Sequence, residues 1–344
     1  MIDLHEELLN NHNIYSYSKE KIEDNLAGYL DLFDYNFDEL IHKCINHTLE
    51  EIKNFGPTMY KVYTIPKRNG GNRTIAHPAK KLKLYQRELI KILDNILPIH
   101  PCSFAYKKNT SIKDNAEMHI KNSYLLKMDL SDFFNSITFD IVKENLTRHN
   151  IFLTKESYNL LKCIAFWCPS KSRDGKFILS VGAPSSPSLS NFIMYNFDET
   201  VNVICKSYNV TYTRYADDLF FSTNEKNTLE KLPNIINFIL DTLFKSEINI
   251  NHSKTKFSSK AHNRHITGIT LANNCKASIG RERKRNISSQ VHKYKLGLLD
   301  NTQTKKLQGL IGFAKNIEPE FYQKLEKKYS IDIINKIKKG KLNE

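Results

Sequence analysis

Two adjacent carboxylates, Asp217 and Asp218, constrain this chain most strongly, because they lie between two short segments of alternating apolar residues. The pattern predicts a β-hairpin over YTRYADDLFFS, with Ala216-Asp217-Asp218 at its tip. An isolated Asp-Asp pair is more often only a turn. Neighbouring carboxylates repel each other, however, and magnesium takes hard oxygen ligands, commonly one or two carboxylates together with substrate phosphates. The hairpin therefore predicts a cation site.

A third carboxylate, Asp129, ends the apolar strand predicted over Ser123–Met128 and begins DLSDFF. Two magnesium ions about 3.5–4 Å apart can hold the attacking and leaving oxygens of an in-line phosphoryl displacement. That reaction needs carboxylates from separate parts of the chain. We therefore predict that Asp129 joins Asp217 and Asp218 in one catalytic site.

The charge balance favours a partner made of phosphates, since 51 basic residues face 37 acidic ones in 344 residues. A solvated basic surface without a partner is the alternative. No apolar run is long enough to span a membrane, the polar and acidic start does not resemble a signal peptide, and the six cysteines lack C-x-x-C spacing. We expect a cytoplasmic protein with reduced thiols and with neither a zinc site nor a membrane partner.

Strands and helices mix irregularly along the chain, which predicts an α+β fold rather than a doubly wound sheet. An Asn-Gly-Gly turn predicts a hairpin. A second, shorter hairpin closes around Arg173-Asp174-Gly175, and a helix opens after GAPSSP. The remaining predicted elements are helical residues before Phe55, such as Phe37–Asn54; the first hairpin, Met59–His77; an amphipathic helix, Lys80–Leu97; a helix from Asp140; and a lysine-rich helical tail from Leu296.

The segments KMDLSDFF, GAPSSP and RYADDL resemble motifs A, B and C of reverse transcriptases, in that order, and the match runs from about Tyr60 to the C-terminus. The resemblance implies a right-hand polymerase with an antiparallel palm sheet and a helical thumb. It also implies that Asp129, Asp217 and Asp218 hold two Mg²⁺ ions, with the Leu130 carbonyl as a further ligand. The implied domains are an N-terminal helical region at 1–54, fingers at 55–122, a palm at 123–270 (170–200 partly with the fingers) and a basic, RNA-binding thumb at 271–344.

The resemblance also implies a site for the incoming dNTP. A large ring five residues after Asp129, at Phe134, would exclude a ribose 2′-hydroxyl, although either Phe133 or Phe134 belongs to the core. Lys254, in a motif D-like segment, is a candidate general acid or only a phosphate contact. Val181 stands where many relatives carry Gln. The implied dNTP-binding residues are Lys67 (or its neighbour Arg68), Arg73, Asp132, Phe133, Phe134, Gly182, Ala183, Pro184 and Lys254.

Two short features resemble the retron group of bacterial reverse transcriptases. Asn115-Ala116-Glu117-Met118-His119 matches N-A-x-x-H, and Ile266-Thr267-Gly268 resembles V-T-G. His119 as a core histidine and Thr267-Gly268 as an ordinary turn are the alternatives. The candidate RNA-binding residues are Asn115, His119, Thr267, Gly268, Arg281, Arg283, Lys284, Arg285, Lys324, Lys327 and Lys328.

A retron enzyme is expected to copy part of a cognate structured non-coding RNA into a small DNA. The resemblance implies priming from a guanosine 2′-hydroxyl, a branched RNA–DNA product, and a role in phage defence with an effector protein. Two alternatives stay open. One is another bacterial reverse transcriptase with a different template, and the other is an inactive RNA-binding scaffold, which three clustered carboxylates argue against.

Overall fold

The computed structural model describes residues 49–67, 70–172 and 175–340. The strands are β1 (Tyr60–Pro66), β2 (Asn72–Pro78), β3 (Tyr124–Asp129), β4 (Thr211–Tyr215), β5 (Asp218–Thr223), β6 (Lys256–Ser259), β7 (Arg264–Ile266), β8 (Ile269–Leu271) and β9 (Ala277–Ser278). The helices are α1 (Leu49–Phe55), α2 (Lys80–Ile96), α3 (Ile112–His119), α4 (Phe133–Ser136), α5 (Phe139–Arg148), α6 (Lys155–Ala165), α7 (Ser186–Ile193), α8 (Tyr195–Ser207), α9 (Leu232–Phe244), α10 (Arg281–Lys295), α11 (Asn301–Ile317), α12 (Pro319–Tyr329) and α13 (Ile331–Lys338). Short 3₁₀ helices lie at Gly56–Thr58, Thr228–Lys231 and His252–Lys254.

The chain divides into two compact units, which we call the hairpin unit and the sheet unit. The hairpin unit comprises Met1–Tyr106, Leu130–Ile204 and Asn234–Asn251. The sheet unit comprises Lys107–Asp129, Cys205–Pro233 and His252–Glu344. This division is not contiguous in sequence, so it leaves the domain boundaries expected above as a prediction.

In the hairpin unit, β1 and β2 form an antiparallel ribbon with register from Tyr60↔Pro78 to Pro66↔Asn72. Gly70 and Gly71 both have positive φ, which glycine adopts readily, and this lets the ribbon turn. Helix α2 follows directly and buries a stripe at helical spacing, including Leu82, Leu89 and Leu93. It ends where Leu97 turns extended before Pro98.

The segment GAPSSP lies against β2 within the same unit. The Ser180 hydroxyl donates to the Ala76 carbonyl at 2.7 Å, and the Ser186 hydroxyl donates to the Ser180 carbonyl at 2.8 Å. Gly182 has a φ of 113°, a conformation that side chains disfavour. These contacts fix the turn that precedes α7, whose first turn contains Pro187, a favourable position for proline.

In the sheet unit, four antiparallel strands pair in the order β4-β5-β3-β6, and a second sheet pairs β7-β8-β9. Helix α3 packs against both sheets. The four C-terminal helices bury a common apolar core, in which Phe321, Leu325 and Tyr329 of α12 take part at a four-residue spacing. The inward packing of that helix was therefore predictable from its periodicity.

The sequence predicted most of these elements. The ribbon at 59–77, helix 80–97, the strand ending at Asp129, the Asp217-Asp218 hairpin and the helical tail are all confirmed. Where a second hairpin was expected, Trp167 and Ile178 form an isolated antiparallel bridge. Arg173 and Asp174 at its predicted turn lie outside the described residues. Residues 1–48, which include most of the predicted N-terminal helical region, also lie outside them. No helix within the described ranges is both long and apolar enough to cross a membrane.

Candidate active site

Backbone pairing in the sheet unit brings the predicted carboxylates together. Asp129 is the last residue of β3 and pairs directly with Asp218, the first residue of β5. Directly opposite residues have Cβ atoms about 4.5–5.5 Å apart. Asp217 lies beside them in the two-residue turn that joins β4 to β5, because Tyr215 pairs with Asp218. The three carboxylates therefore meet at one end of the sheet.

The turn itself is conformationally unusual. Ala216 has a φ of 57°, in the left-handed region that non-glycine residues seldom adopt. The buried guanidinium of Arg214 donates to the Ala216 carbonyl at 3.2 Å. Arg214 was not singled out by the sequence reasoning, although a charged residue within an apolar strand was a visible signal. Its contact stabilises the conformation that presents Asp217.

Two lysines bind the carboxylates. The Lys254 ammonium lies 2.8 Å and 3.0 Å from the two Asp129 oxygens, and the Lys127 ammonium lies 2.7 Å from an Asp218 oxygen. The Asp129 side chain is only 7% exposed, whereas Lys254 is 54% exposed and retains room to move. Lys127 was not predicted, although it lies two residues before Asp129 and so shares its face of the strand.

Burial and mutual repulsion act on two of these carboxylates. Burial raises the pKa of Asp217 above its usual value, and the Asp218 and Asp129 charges raise it further, although the backbone and Lys254 act in the opposite direction. Burial likewise raises the pKa of Asp218, while Lys127 lowers it by hydrogen bond and charge. Concentrated negative charge at a partly desolvated position favours binding of a cation.

The donor set fits magnesium chemistry, since every candidate side-chain ligand is a carboxylate oxygen. Within the described ranges, no three His, Cys, Asp or Glu side chains are arranged to hold a metal ion by themselves. Magnesium sites at phosphoryl-transfer centres commonly take their remaining ligands from water and substrate phosphates. The two ammonium groups on Asp129 and Asp218 show that these oxygens accept cations.

The residues after Asp129 belong to the hairpin unit. Phe133 is 5% exposed and packs in the core, which confirms that one ring of the pair is a core ring and contradicts a nucleotide contact by that ring. The Phe134 ring is partly exposed and lies 6.3 Å from the ring of Tyr106. Asp132 is exposed with a φ of 44°, and Leu130 is buried and bridged to Ile250.

The other predicted nucleotide-binding residues also lie in the hairpin unit, apart from Lys254. Lys67 and Arg73 are exposed at the turn end of the β1–β2 ribbon, while Arg68 lies outside the described residues. Near the ribbon's other end, Gly182 is exposed, Pro184 is half-buried and Ala183 is buried. The two sets of residues thus lie near opposite ends of the β1–β2 ribbon. Their role in nucleotide binding stays a prediction.

The predicted RNA-binding residues differ in exposure. Asn115 and His119 are fully buried, which contradicts a direct RNA contact by either side chain. Both form hydrogen bonds inside the sheet unit, so the core-histidine alternative is correct. Thr267 and Gly268 form the two-residue turn between β7 and β8, both with positive φ, as the ordinary-turn alternative stated.

The basic residues near the C-terminus divide into two groups. Arg283 donates to the Gly268 carbonyl at 3.0 Å and lies over the Phe313 ring, and Lys284 pairs with Glu318. These two side chains therefore make intramolecular contacts. The side chains that remain exposed are Arg281, Arg285, Lys324, Lys327 and Lys328. Of the predicted basic residues, this second group offers the exposed cationic surface.

Comparison with known proteins agrees with this site. Residues 65–271 match the family model described as reverse transcriptase (RNA-dependent DNA polymerase). The chain is 48% identical over 288 residues to the Retron Ec83 reverse transcriptase of Escherichia coli, covering 84% of this chain and 92% of that protein. It is 36% identical over 296 residues to the Retron Ec73 reverse transcriptase of the same species, covering 80% and 89%.

Among solved structures, a telomerase from Candida tropicalis with a fragment of telomeric RNA matches with a TM-score of 0.45 and 14% identity, covering 83% of this chain and 59% of that one. The family assignment depends on the sequence matches, which span the three carboxylates and most of the chain. The protein belongs to the retron reverse transcriptases and is an RNA-directed DNA polymerase with the right-hand polymerase fold.

Proposed function

We propose that this enzyme copies part of a cognate structured RNA into a small branched DNA by two-metal nucleotidyl transfer. The observation that supports the catalytic part most directly is the pairing of Asp129 with Asp218, with Asp217 in the adjoining turn. Three carboxylates from two separate chain segments meet in one place, as a two-metal site requires. An RNA-binding scaffold has no need for this arrangement.

In this proposal Asp129, Asp217 and Asp218 hold the metal ions, and the Leu130 carbonyl adds a backbone ligand. When bound, two magnesium ions lower the pKa of the primer hydroxyl and neutralise charge on the triphosphate. Lys127 and Lys254 balance the carboxylate charge until then, because each lies within 3.0 Å of a carboxylate oxygen. The carboxylates are thus held in place before substrate arrives.

Lys254 has a second role in this proposal. Its ammonium is half-exposed and its stem is flexible, so it would be free to leave Asp129 if that carboxylate held a metal ion. It then donates a proton to the leaving pyrophosphate as a general acid. A phosphate contact without proton transfer is the alternative, and the two differ in whether substitution lowers the maximal rate or raises the KM.

The dNTP is selected by residues of the hairpin unit. Phe134 serves as a steric gate against the ribose 2′-hydroxyl, which its partial exposure permits and the burial of Phe133 does not. Arg73 and Lys67 bind triphosphate oxygens, since both are exposed beside a glycine turn, and arginine can bind phosphate bidentately. Gly182, Ala183 and Pro184 let backbone approach the nucleotide closely.

The template is a structured RNA encoded with the enzyme, and synthesis starts from the 2′-hydroxyl of a guanosine in that RNA. The relatives' names identify them as retron reverse transcriptases, which supports a retron template here. The exposed residues Arg281, Arg285, Lys324, Lys327 and Lys328 bind RNA phosphates. We further propose a role in phage defence together with an effector protein.

The test is to express the gene with its flanking DNA and to extract nucleic acid bound to the purified enzyme. RNase and a debranching enzyme are then applied separately. A discrete small DNA whose mobility shifts on debranching supports the proposal. Unbranched or heterogeneous DNA would instead indicate another type of reverse transcriptase.

The matched control is the Asp217→Ala, Asp218→Ala double variant, expressed in the same way. It should bind the RNA but contain no DNA. DNA in this variant would contradict the assignment of the catalytic carboxylates. RNA without DNA in the unaltered enzyme would favour the scaffold alternative.

A further inference from the structure

A chain of buried hydrogen bonds connects helix α3 to both strands of the Asp217-Asp218 hairpin. The His119 ring lies 2.7 Å from the Thr213 hydroxyl through Nε2 and 2.7 Å from the Ser222 hydroxyl through Nδ1. Thr213 belongs to β4 and Ser222 to β5. At the two ends, the Thr213 hydroxyl donates to Asn115 Oδ1 at 2.5 Å, and Asn122 Nδ2 donates to the Ser222 hydroxyl at 2.8 Å.

Asn115 at one end of the network and Asn122 at the other determine which group donates in each hydrogen bond. The Thr213 hydroxyl gives its single proton to Asn115, so it must accept from His119 Nε2–H. A neutral imidazole then has an acceptor left at Nδ1, which receives the Ser222 proton. One tautomer therefore satisfies both ring nitrogens and both hydroxyls. With the ring and both hydroxyls satisfied, these three side chains are held in a single arrangement.

The imidazole remains neutral at working pH. His119 is fully buried, and burial lowers its pKa to about 3. The two ammonium groups of the site pair with carboxylates rather than with this ring, Lys127 with Asp218 and Lys254 with Asp129. His119 can neither exchange protons with substrate nor contact RNA. Its chemistry is confined to holding two hydroxyl groups in fixed positions.

We propose that Asn115 and His119 are positioning residues that hold the two strands of the catalytic hairpin through Thr213 and Ser222. Thr213 lies four residues before Asp217, and Ser222 lies four residues after Asp218. The network therefore binds both strands that flank the turn with the carboxylates. Arg214 stabilises the turn through the Ala216 carbonyl, and the network stabilises strands β4 and β5. The N-A-x-x-H segment thus acts on catalysis through strand geometry rather than through RNA.

Spacing on the helix explains why these two residue types occur together. Asn115 and His119 are four residues apart and therefore project from one face of α3. Asn115 Nδ2 is buried without a hydrogen-bond partner among the described residues. An unsatisfied buried donor lowers stability. The Asn115 side-chain oxygen accepts a hydrogen bond from Thr213, whereas its unpaired Nδ2 group lowers stability.

Position 213 allows a matched experiment, which depends on the proposed catalytic role of Asp217. Thr213→Val keeps the shape of the side chain and removes the hydroxyl, whereas Thr213→Ser keeps the hydroxyl. Thr223→Val is the control, because Thr223 is also buried in the hairpin, in β5, but its hydroxyl donates to the Asn209 carbonyl at 2.9 Å and so serves a different contact. Pre-steady-state extension of a DNA primer on an RNA template, in excess over enzyme and with dTTP, separates the readouts.

The burst amplitude gives the fraction of active enzyme, and the dTTP dependence gives the maximal rate and the nucleotide Kd. We expect Thr213→Val to lower the maximal rate per active site about 10- to 100-fold, the effect of a small misplacement of catalytic groups. Burst amplitude and Kd should change by less than about twofold, since neither folding nor nucleotide contact is altered. Thr213→Ser should restore most of the rate, and Thr223→Val should lower only thermal stability.

Equal maximal rates for Thr213→Val and Thr223→Val would overturn the proposal. Should Thr213→Val give no folded protein, Ser222→Ala breaks the same network with the loss of one oxygen, and an unchanged rate there has the same meaning. Asp217→Asn is run alongside. If that variant retains synthesis, the catalytic assignment fails; if it is inactive while Thr213→Val is normal, only the positioning role fails.

Discussion

Replacing Asp217 by asparagine should abolish DNA synthesis and yet stabilise the fold in the absence of divalent metal. Asp217 is a partly buried carboxylate beside Asp218 and Asp129, and both its burial and these charges raise its pKa. At neutral pH the native state therefore carries a charge that is less favourable there than in the unfolded chain. An asparagine at this position keeps the size of the side chain and removes that charge.

The size of the effect follows from the geometry. At roughly 6 Å and an effective dielectric constant of about 20, two unit charges repel by about 3 kcal/mol. Lys254 offsets part of this repulsion, and solvent screens part of it because Asp217 is not fully buried. We expect a net gain of about 1 kcal/mol, equivalent to about 1–2 °C in Tm for a chain of 344 residues. Loss of a metal ligand should lower synthesis about 1000-fold, which corresponds to roughly 4 kcal/mol.

The pH dependence gives the reasoning its sharpest test. Because the folded pKa is raised, the native carboxyl takes up a proton before the unfolded one does as the pH falls. The cost of the charge is thus present at neutral pH and disappears as the pH falls through the raised folded pKa toward the ordinary value of 3.8. The difference in free energy of unfolding between Asp217→Asn and the unaltered enzyme should shrink accordingly.

Chemical denaturation in EDTA at several pH values measures this difference. Added Mg²⁺ should then stabilise the unaltered enzyme more than the variant, because a ligand that binds the native state stabilises it. A variant that is less stable at neutral pH, or whose advantage does not change with pH, would refute the electrostatic argument. Equal stabilisation of both proteins by Mg²⁺ would contradict a metal-binding role for Asp217.

Three further predictions concern the phenylalanine pair, Lys254 and the exposed lysines of α12. Phe134→Ala should raise the kcat/KM for ribonucleotides by about 10- to 200-fold relative to deoxyribonucleotides, as measured in competition assays. Phe133→Ala should instead lower the free energy of unfolding by about 3–5 kcal/mol in denaturation experiments, because its ring is in the core. Lys254→Met should lower the maximal rate about 100-fold or more if the lysine is a general acid, and should raise only the KM for dNTP if it is a phosphate contact. Replacing Lys324, Lys327 and Lys328 by glutamine should weaken RNA binding and reduce the slope of log K against log salt by roughly 2, measured by titration at several salt concentrations, with an unchanged slope arguing against contact.

Local patterns allowed much of the fold to be predicted. The Asn-Gly-Gly turn indicated the β1–β2 ribbon, and helical periodicity indicated α2 and the packing of α12. Alternation around Asp217-Asp218 indicated the hairpin that carries this pair of carboxylates. Each of these signals lies within a few residues of the element it describes, where propensity and turn chemistry act directly.

Partners distant in sequence could not be predicted in the same way. Lys127 lies far from Asp218 along the chain, and only the register of β3 on β5 brings the two charged groups to 2.7 Å. The pairing of Lys254 with Asp129 likewise depends on the fold rather than on any local pattern. The two lysine charges that pair with the candidate catalytic carboxylates therefore became visible only in the structure.

The N-A-x-x-H segment shows how a polar motif can be misinterpreted for the same reason. The resemblance of this segment to the retron group placed Asn115 and His119 among the RNA-binding candidates, with a core histidine as the alternative. Their burial is favourable only because Thr213 and Ser222 arrive from two strands much later in the chain and satisfy both nitrogens of the ring. A polar motif at helical spacing on an otherwise apolar face is therefore as consistent with a buried network as with a ligand. Hydroxyl residues on both strands of the Asp217-Asp218 hairpin are the sequence signal that favours the network.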